Sequence, residues 1–256
     1  MSASIKRSLS FRLRSFKEHT KRFGHQVFGN RNYKKFVIIS DSRTGSTLLR
    51  NLLNFHPELI VEGEEFKIVK STSEKIWGKI FGPKLDGIKY VGFKLFYQHP
   101  VIGDNEVWEY LIRDKDILII HLKRRNVLRS LVSKKIGLKT KMWTENIYSG
   151  KRLPLEERKI ELEIGECEEY FNSISEYQKG INEKFKDHEI IEIFYEDLAD
   201  NRKRTLQQFE KRFQIQEFSK DSQLKKQNPE SLDQLIENYD QLNDHFKNSK
   251  WSKYFE

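Results

Sequence analysis

From residue 36 onward the chain alternates short apolar runs with polar turns and amphipathic stretches. Phe36-Val37-Ile38-Ile39-Ser40 is apolar and β-branched, the pattern of a strand buried on both faces. It enters the polar turn Asp41-Ser42-Arg43-Thr44-Gly45-Ser46-Thr47. Leu48, Leu49, Leu52, Leu53 and Phe55 then recur at helical spacing until His56-Pro57 ends the helix. Leu59-Ile60-Val61 predicts a second strand, followed by Glu62-Gly63-Glu64-Glu65-Phe66. Residues 89–96 read as a third strand and 117–122 as a fourth. The fourth breaks into Lys123-Arg124-Arg125-Asn126, and a helix follows through 127–136. Residues 189–195 form the last strand, while 155–187 and 200–213 have the periodicity of amphipathic helices. Beyond Gln227-Asn228-Pro229, Leu232, Leu235, Ile236, Tyr239 and Leu242 again recur at helical spacing. Strands alternating with helices predict an α/β fold with a central parallel sheet flanked by helices on both faces, in three layers.

Composition narrows the class. Eighteen Phe, ten Tyr and four Trp supply core material despite a charged fraction of 33%, which excludes wholesale disorder. No run approaches the roughly 18 apolar residues of a membrane-spanning helix. The single cysteine, Cys167, excludes an intramolecular disulfide framework and a cysteine-cluster zinc site. A reducing, cytoplasmic setting is the simplest expectation.

Charge divides the chain. Residues 1–35 hold ten Lys/Arg and one acid, Glu18, which equals the net +9 of the whole protein. The remainder is neutral, so a basic arm over 1–35 is expected to precede one balanced domain over 36–256. The arm interleaves Leu9, Phe11, Leu13, Phe16 and Phe23 with its basic residues. Two readings follow: a helix packed on the domain, or a basic amphipathic segment in peripheral contact with an anionic surface such as the inner membrane face.

A strand that runs through a Gly- and hydroxyl-rich turn into a helix is built to hold an anion. The first N–H groups of a helix lack intrahelical acceptors, and the helix dipole adds positive character there. Glycine lets the backbone curl, and small hydroxyl residues leave room and add donors. Thr44, Gly45, Ser46 and Thr47 would form the cradle, with Arg43 as a cation at its lip; an ordinary helix cap is the bland alternative. The Walker pattern Gly-x-x-x-x-Gly-Lys-Ser/Thr is absent, as is Gly-x-Gly-x-x-Gly. At the end of the fourth strand Arg124, Arg125 and Asn126, with Ser133 in the helix, could grip a second phosphate of the same ligand, because strand carboxyl ends line one crevice.

These residues resemble a known family. Residues 42–49, Ser-Arg-Thr-Gly-Ser-Thr-Leu-Leu, look like the 5′-phosphosulfate loop of sulfotransferases that use 3′-phosphoadenosine 5′-phosphosulfate (PAPS). Arg125-Asn126 with Ser133 looks like their 3′-phosphate motif, although Val127 replaces the usual proline. Related bacterial sequences space the arginine nine residues before the serine, which selects Arg124 instead. Tyr195-Glu196-Asp197 resembles the segment whose tyrosine lies against the adenine. Gly92-Phe93-Lys94-Leu95 and the tail around Asn238-Tyr239 and Trp251 resemble the bacterial branch that includes carbohydrate and glycolipid sulfotransferases. The Arg-Lys-Gly loop of animal members is missing; Lys226, within Lys225-Lys226-Gln227, is the candidate to stand in for it.

The resemblance implies a P-loop-like fold and transfer of a sulfuryl group from PAPS, as cosubstrate, to a hydroxyl or amine of a glycan, glycolipid or small alcohol. No metal is expected, since a cation and a backbone nest can stabilise the phosphate leaving group. Arg43 would act there. Glu64 and Glu65 are candidates for the base that takes the acceptor's proton, with His99 as runner-up. An acid directly after the glycine matches the family pattern and selects Glu64. In an extended segment Phe66 would share its side and form an apolar wall. Lys94 must either snorkel outward or meet an anion. Residues 140–155, with Trp143, Tyr148 and Pro154, read as an acceptor lid or a surface loop. Two other classes are considered: a P-loop nucleotide kinase, disfavoured by the missing Walker lysine, and a nucleic-acid binder using the arm, disfavoured by the neutral body.

Overall fold

A computed structural model describes residues 29–143, 153–218 and 228–256. The strands are β1 (Lys34–Ser40), β2 (Leu59–Glu62), β3 (Tyr90–Phe96), β4 (Leu118–Lys123) and β5 (Ile190–Phe194). The first helices are α1 (Ser46–Asn54), α2 (Ser73–Ile80), α3 (Val107–Arg113) and α4 (Val127–Thr140). The single turn α5 (Leu155–Arg158) precedes α6 (Ile164–Lys184). Then come α7 (Tyr195–Asp200), α8 (Arg202–Phe213), α9 (Leu232–Leu235) and α10 (Tyr239–Phe246). None of the described helices is long and apolar enough to cross a membrane.

The five strands pair in the order β2-β3-β1-β4-β5, and each of these pairs is parallel. Alternation along β1 divides the core. Phe36 and Ile38 face α1 and α8 with Leu49, Leu52 and Phe209; Val37 and Ile39 face the other layer with Leu128, Leu131 and Phe171. Both sets are fully buried, which is why β1 reads as a continuous apolar run. Burying one such side chain contributes about 1.5–3 kcal/mol. Gly92 lets β3 lie close to β1: a Cβ there would sit 2.6 Å from the Phe36 ring and carbonyl oxygen.

Three expectations are corrected. Residues 155–187 are not one helix. Ile160 leaves the helical path because its N–H donates to the Leu235 carbonyl at 2.9 Å and its carbonyl accepts from the Glu237 N–H at 2.8 Å. The same pairing splits the C-terminal periodicity into α9 and α10. The last strand ends at Phe194, and Tyr195 opens α7. The boundary at residue 35 falls inside β1, and Asn30 already pairs with Lys84 through backbone hydrogen bonds of 2.8 and 2.7 Å. Residues 1–28 of the expected arm lie outside the described residues.

The sheet carries one titratable group with a consequence for stability. His121 on β4 is fully buried, lies 2.8 Å from the Tyr97 hydroxyl, and burial pushes it down to about 4. It is therefore neutral in the fold, whereas the unfolded chain protonates it below about 6.5. Its contribution is unaffected above that pH and is lost as pH falls from about 6.5 towards 4, at about 1.4 kcal/mol per pH unit for one proton. Denaturant titrations between pH 7 and 4.5 should show a shallower loss for His121→Gln than for the wild type. Equal slopes would exclude this histidine as a source of acid sensitivity.

Candidate active site

Connections leave β1 towards β2 on one side of the sheet and β4 towards β5 on the other. The crevice between their carboxyl ends is the topological switch point, where ligands bind in open α/β sheets. A cleft of about 820 Å³ opens there. The loop after β1 forms its floor. Thr44 turns its hydroxyl inward to the Asp41 carbonyl, 2.8 Å away, so this side chain closes the loop and does not line the cleft. Arg43 and Gly45 take left-handed φ values of 64° and 83°. Gly45 is required twice over, since a Cβ would also lie 2.4 Å from the Tyr195 ring. α1 begins after Gly45 with no side-chain cap, leaving its first turn, with Ser46 and Thr47, at the cleft.

Cations converge on this floor. The Arg43 Nε donates to Ser133 Oγ at 2.9 Å, and one of its terminal nitrogens donates to the Trp143 carbonyl at 2.7 Å. Arg124 donates to the Arg43 carbonyl at 3.0 Å and lies 4.7 Å over the Tyr195 ring. Its buried Nε lies 4.0 Å from the Glu196 carboxylate, an ion pair too long for a hydrogen bond, and makes no hydrogen bond among the described residues. Burial pushes both guanidinium groups below their ordinary value, yet arginine stays charged. Tyr195 and Glu196 pull Arg124 back up.

Arg125 points elsewhere. Its guanidinium forms a two-pronged pair with Asp197, both contacts 2.8 Å, lies over the Phe194 ring, and is about half exposed outside the cleft. The Glu196 carboxylate accepts from the Arg125 and Asn126 N–H groups, and the Asn126 side chain accepts from the Arg129 N–H. These contacts cap α4 and thereby fix the direction of Ser133.

The acidic turn also separates its residues. Glu64 lines the cleft and pairs with Lys94 at 3.0 Å. Lys94 is only 4% exposed and also donates to Thr47 Oγ1 at 3.2 Å, so it meets an anion and does not snorkel. Burial lowers the ammonium's pKa, and Glu64 raises it again. Glu65 pairs with Lys79 at 3.3 Å and does not line the cleft. The segment is not extended: the Lys67 N–H closes a turn onto the Glu64 carbonyl, and Phe66 enters the core against Phe93. The expected apolar wall beside Glu64 is thus replaced by a cation. His99 lines the cleft and is buried, which lowers its pKa and leaves it neutral near pH 7.

Lys67, Arg129, Lys134 and Arg202 also line the cleft, which holds six Lys/Arg side chains against two carboxylates, Glu64 and Asp200. Lys67 and Arg202 were not anticipated. Arg202 opens α8 just after the break at Asn201 that ends α7, a placement no local spacing reports. Lys226 lies outside the described residues. Among the described residues no group of three metal-ligating side chains occurs.

No family model matches the sequence. The chain is 26% identical over 243 residues to nodulation protein H of Rhizobium tropici, covering 86% of this chain and 92% of that protein. It is 26% identical over 247 residues to nodulation protein H of Rhizobium meliloti, covering 87% and 95%. In structure it is similar to a sulfotransferase from Alicyclobacillus acidocaldarius, with a TM-score of 0.51 and 12% identity, covering 85% of this chain and 91% of that one. That likeness bears on the fold; the alignments with relatives and the motifs around residues 42–49 and 124–133 bear on the family. Taken together, the chain shares the α/β fold of that sulfotransferase and is similar to nodulation protein H over nearly its whole length.

Proposed function

We propose that the protein transfers a sulfuryl group from PAPS to a hydroxyl or amine of an acceptor, and that the acceptor is a carbohydrate or glycolipid. One observation supports this most: Arg43, Arg124 and Ser133 meet over an uncapped helix N-terminus, in a cleft whose charged lining is mostly cationic. The buried Nε of Arg124 faces Glu196 at 4.0 Å without a hydrogen bond among the described residues, and so fits a ligand that brings an anionic oxygen closer. PAPS, when bound, supplies the sulfuryl group and a phosphate leaving group.

The chain's own residues divide the remaining work. Arg124 and Ser133 would hold the 3′-phosphate, and Tyr195 would bound the nucleoside. Arg43, with the α1 N-terminus and Thr47, would stabilise negative charge on the leaving oxygen. Lys94 would add to it from beneath, its charge maintained by Glu64. Glu64 would accept the proton that the attacking hydroxyl or amine loses as its bond to sulfur forms. Neutral His99 is the second group able to take that proton.

The test is transfer of radiolabelled sulfate from PAPS onto a panel of glycans, glycolipids, phenols and alcohols. Label on an acceptor is the expected result. Phosphoryl transfer from Mg-ATP, with no sulfate transfer to any acceptor, would contradict the proposal.

A further inference from the structure

Trp143 stands out among the cleft residues that the proposed donor does not use. It follows α4 and lines the cleft with its indole 44% exposed, unlike Trp108, which is 8% exposed, and the partly buried Trp77 and Trp251. An exposed indole in a cationic cleft leaves a large apolar face in water, which favours a ligand that covers it.

The ring is also held in place. A Cβ at Gly137 would lie 2.9 Å from the indole edge, so the ring sits directly on the α4 backbone. Glycine inside a helix weakens it relative to alanine. Here that glycine makes the seat for Trp143. The Trp143 carbonyl accepts from Arg43, which places the residue beside the cation assigned to the reacting end.

We infer that Trp143 is a specificity-determining platform for a sugar ring of the acceptor. This rests on the sulfotransferase reading. The negative π-face of an indole attracts the electron-poor C–H groups on one face of a pyranose, and a flat, fixed ring loses little freedom on binding. A purine could also stack on an indole. The acceptor is favoured because the nucleoside is assigned to Tyr195, whose ring already lies against Gly45 and Arg124, which leaves the Trp143 face to the acceptor.

The test compares wild type, Trp143→Ala, Trp143→Phe and Gly137→Ala. Three quantities are read: KM for the sugar that the wild type labels from PAPS, calorimetric affinity for 3′-phosphoadenosine 5′-phosphate, and Tm. Trp143→Ala should raise the sugar KM roughly tenfold, and Trp143→Phe should recover most of it. Gly137→Ala should displace the ring and raise KM roughly three- to tenfold while Tm holds or rises, a pairing that a purely structural role would not give. Affinity for the bisphosphate should stay within about twofold throughout. An unchanged KM in Trp143→Ala would overturn the inference, as would a tenfold loss of bisphosphate affinity, which would assign the indole to the donor. Label found only on phenols or simple alcohols would overturn the sugar platform and leave the transferase reading standing. A wild type that labels nothing overturns both, before any variant is made.

Discussion

Arg124→Ala is expected to weaken binding of 3′-phosphoadenosine 5′-phosphate roughly ten- to hundredfold, while Arg125→Ala changes it by less than about twofold. The two residues are adjacent, but their surroundings differ. Arg124 is nearly buried, stacked on Tyr195 and tied to the loop that carries Arg43, with its Nε unsatisfied among the described residues. A charge-assisted hydrogen bond to a ligand phosphate contributes about 1.5–3 kcal/mol, and the truncation removes it. Arg125 is half exposed and occupied by Asp197, and exposed pairs of that kind contribute about 0–1 kcal/mol. Calorimetry on the two variants separates them. A larger loss from Arg125→Ala would mean that Asp197 releases its partner to the ligand and that Arg124 serves only the loop.

The second large effect is on turnover. Glu64→Gln should lower kcat by roughly 10²–10⁴ and leave affinity for the bisphosphate almost unchanged, because it removes a proton acceptor and keeps the shape of the side chain. Glu65→Gln should leave kcat within about threefold, since it loses only a partly exposed pair with Lys79. Glutamine at 64 can still accept a hydrogen bond from Lys94, so the buried ammonium keeps a partner and the fold is retained. Rates of label transfer and calorimetric affinity, measured on both variants, test this. An inactive Glu65→Gln would mean that the turn after β2 is arranged differently when substrate is bound. Full activity in both variants would shift the role of base to His99.

Much of this was legible in the sequence. β1 and the loop after it are local features: four consecutive apolar residues, a polar turn with one glycine, then leucines at helical spacing. The strands lie within a residue or two of where apolar runs put them. The choice between Arg124 and Arg125 was not legible, because their sides are set by Tyr195 and Asp197, more than seventy residues downstream. The turn at 64–67 defeated the extended reading for a similar reason: Phe66 is drawn into the core by Phe93. The break after α5 comes from backbone pairing with residues 235–237, which no local periodicity reports. α2 and α3 are only eight and seven residues long, so each completes about two turns, too few for apolar spacing alone to separate a helix from a short strand.

The central claim is that the cleft recognises a nucleotide carrying phosphate at both ends of its ribose. Affinities of the wild-type protein for 3′-phosphoadenosine 5′-phosphate and for 5′-AMP, measured by calorimetry under one salt condition, test it without knowledge of the acceptor. The bisphosphate should bind at least roughly tenfold more tightly, the difference expected for one charge-assisted contact supplied by Arg124 and Ser133. Equal affinity for the two nucleotides would contradict the assignment of that end of the cleft, and the sulfotransferase mechanism built on it.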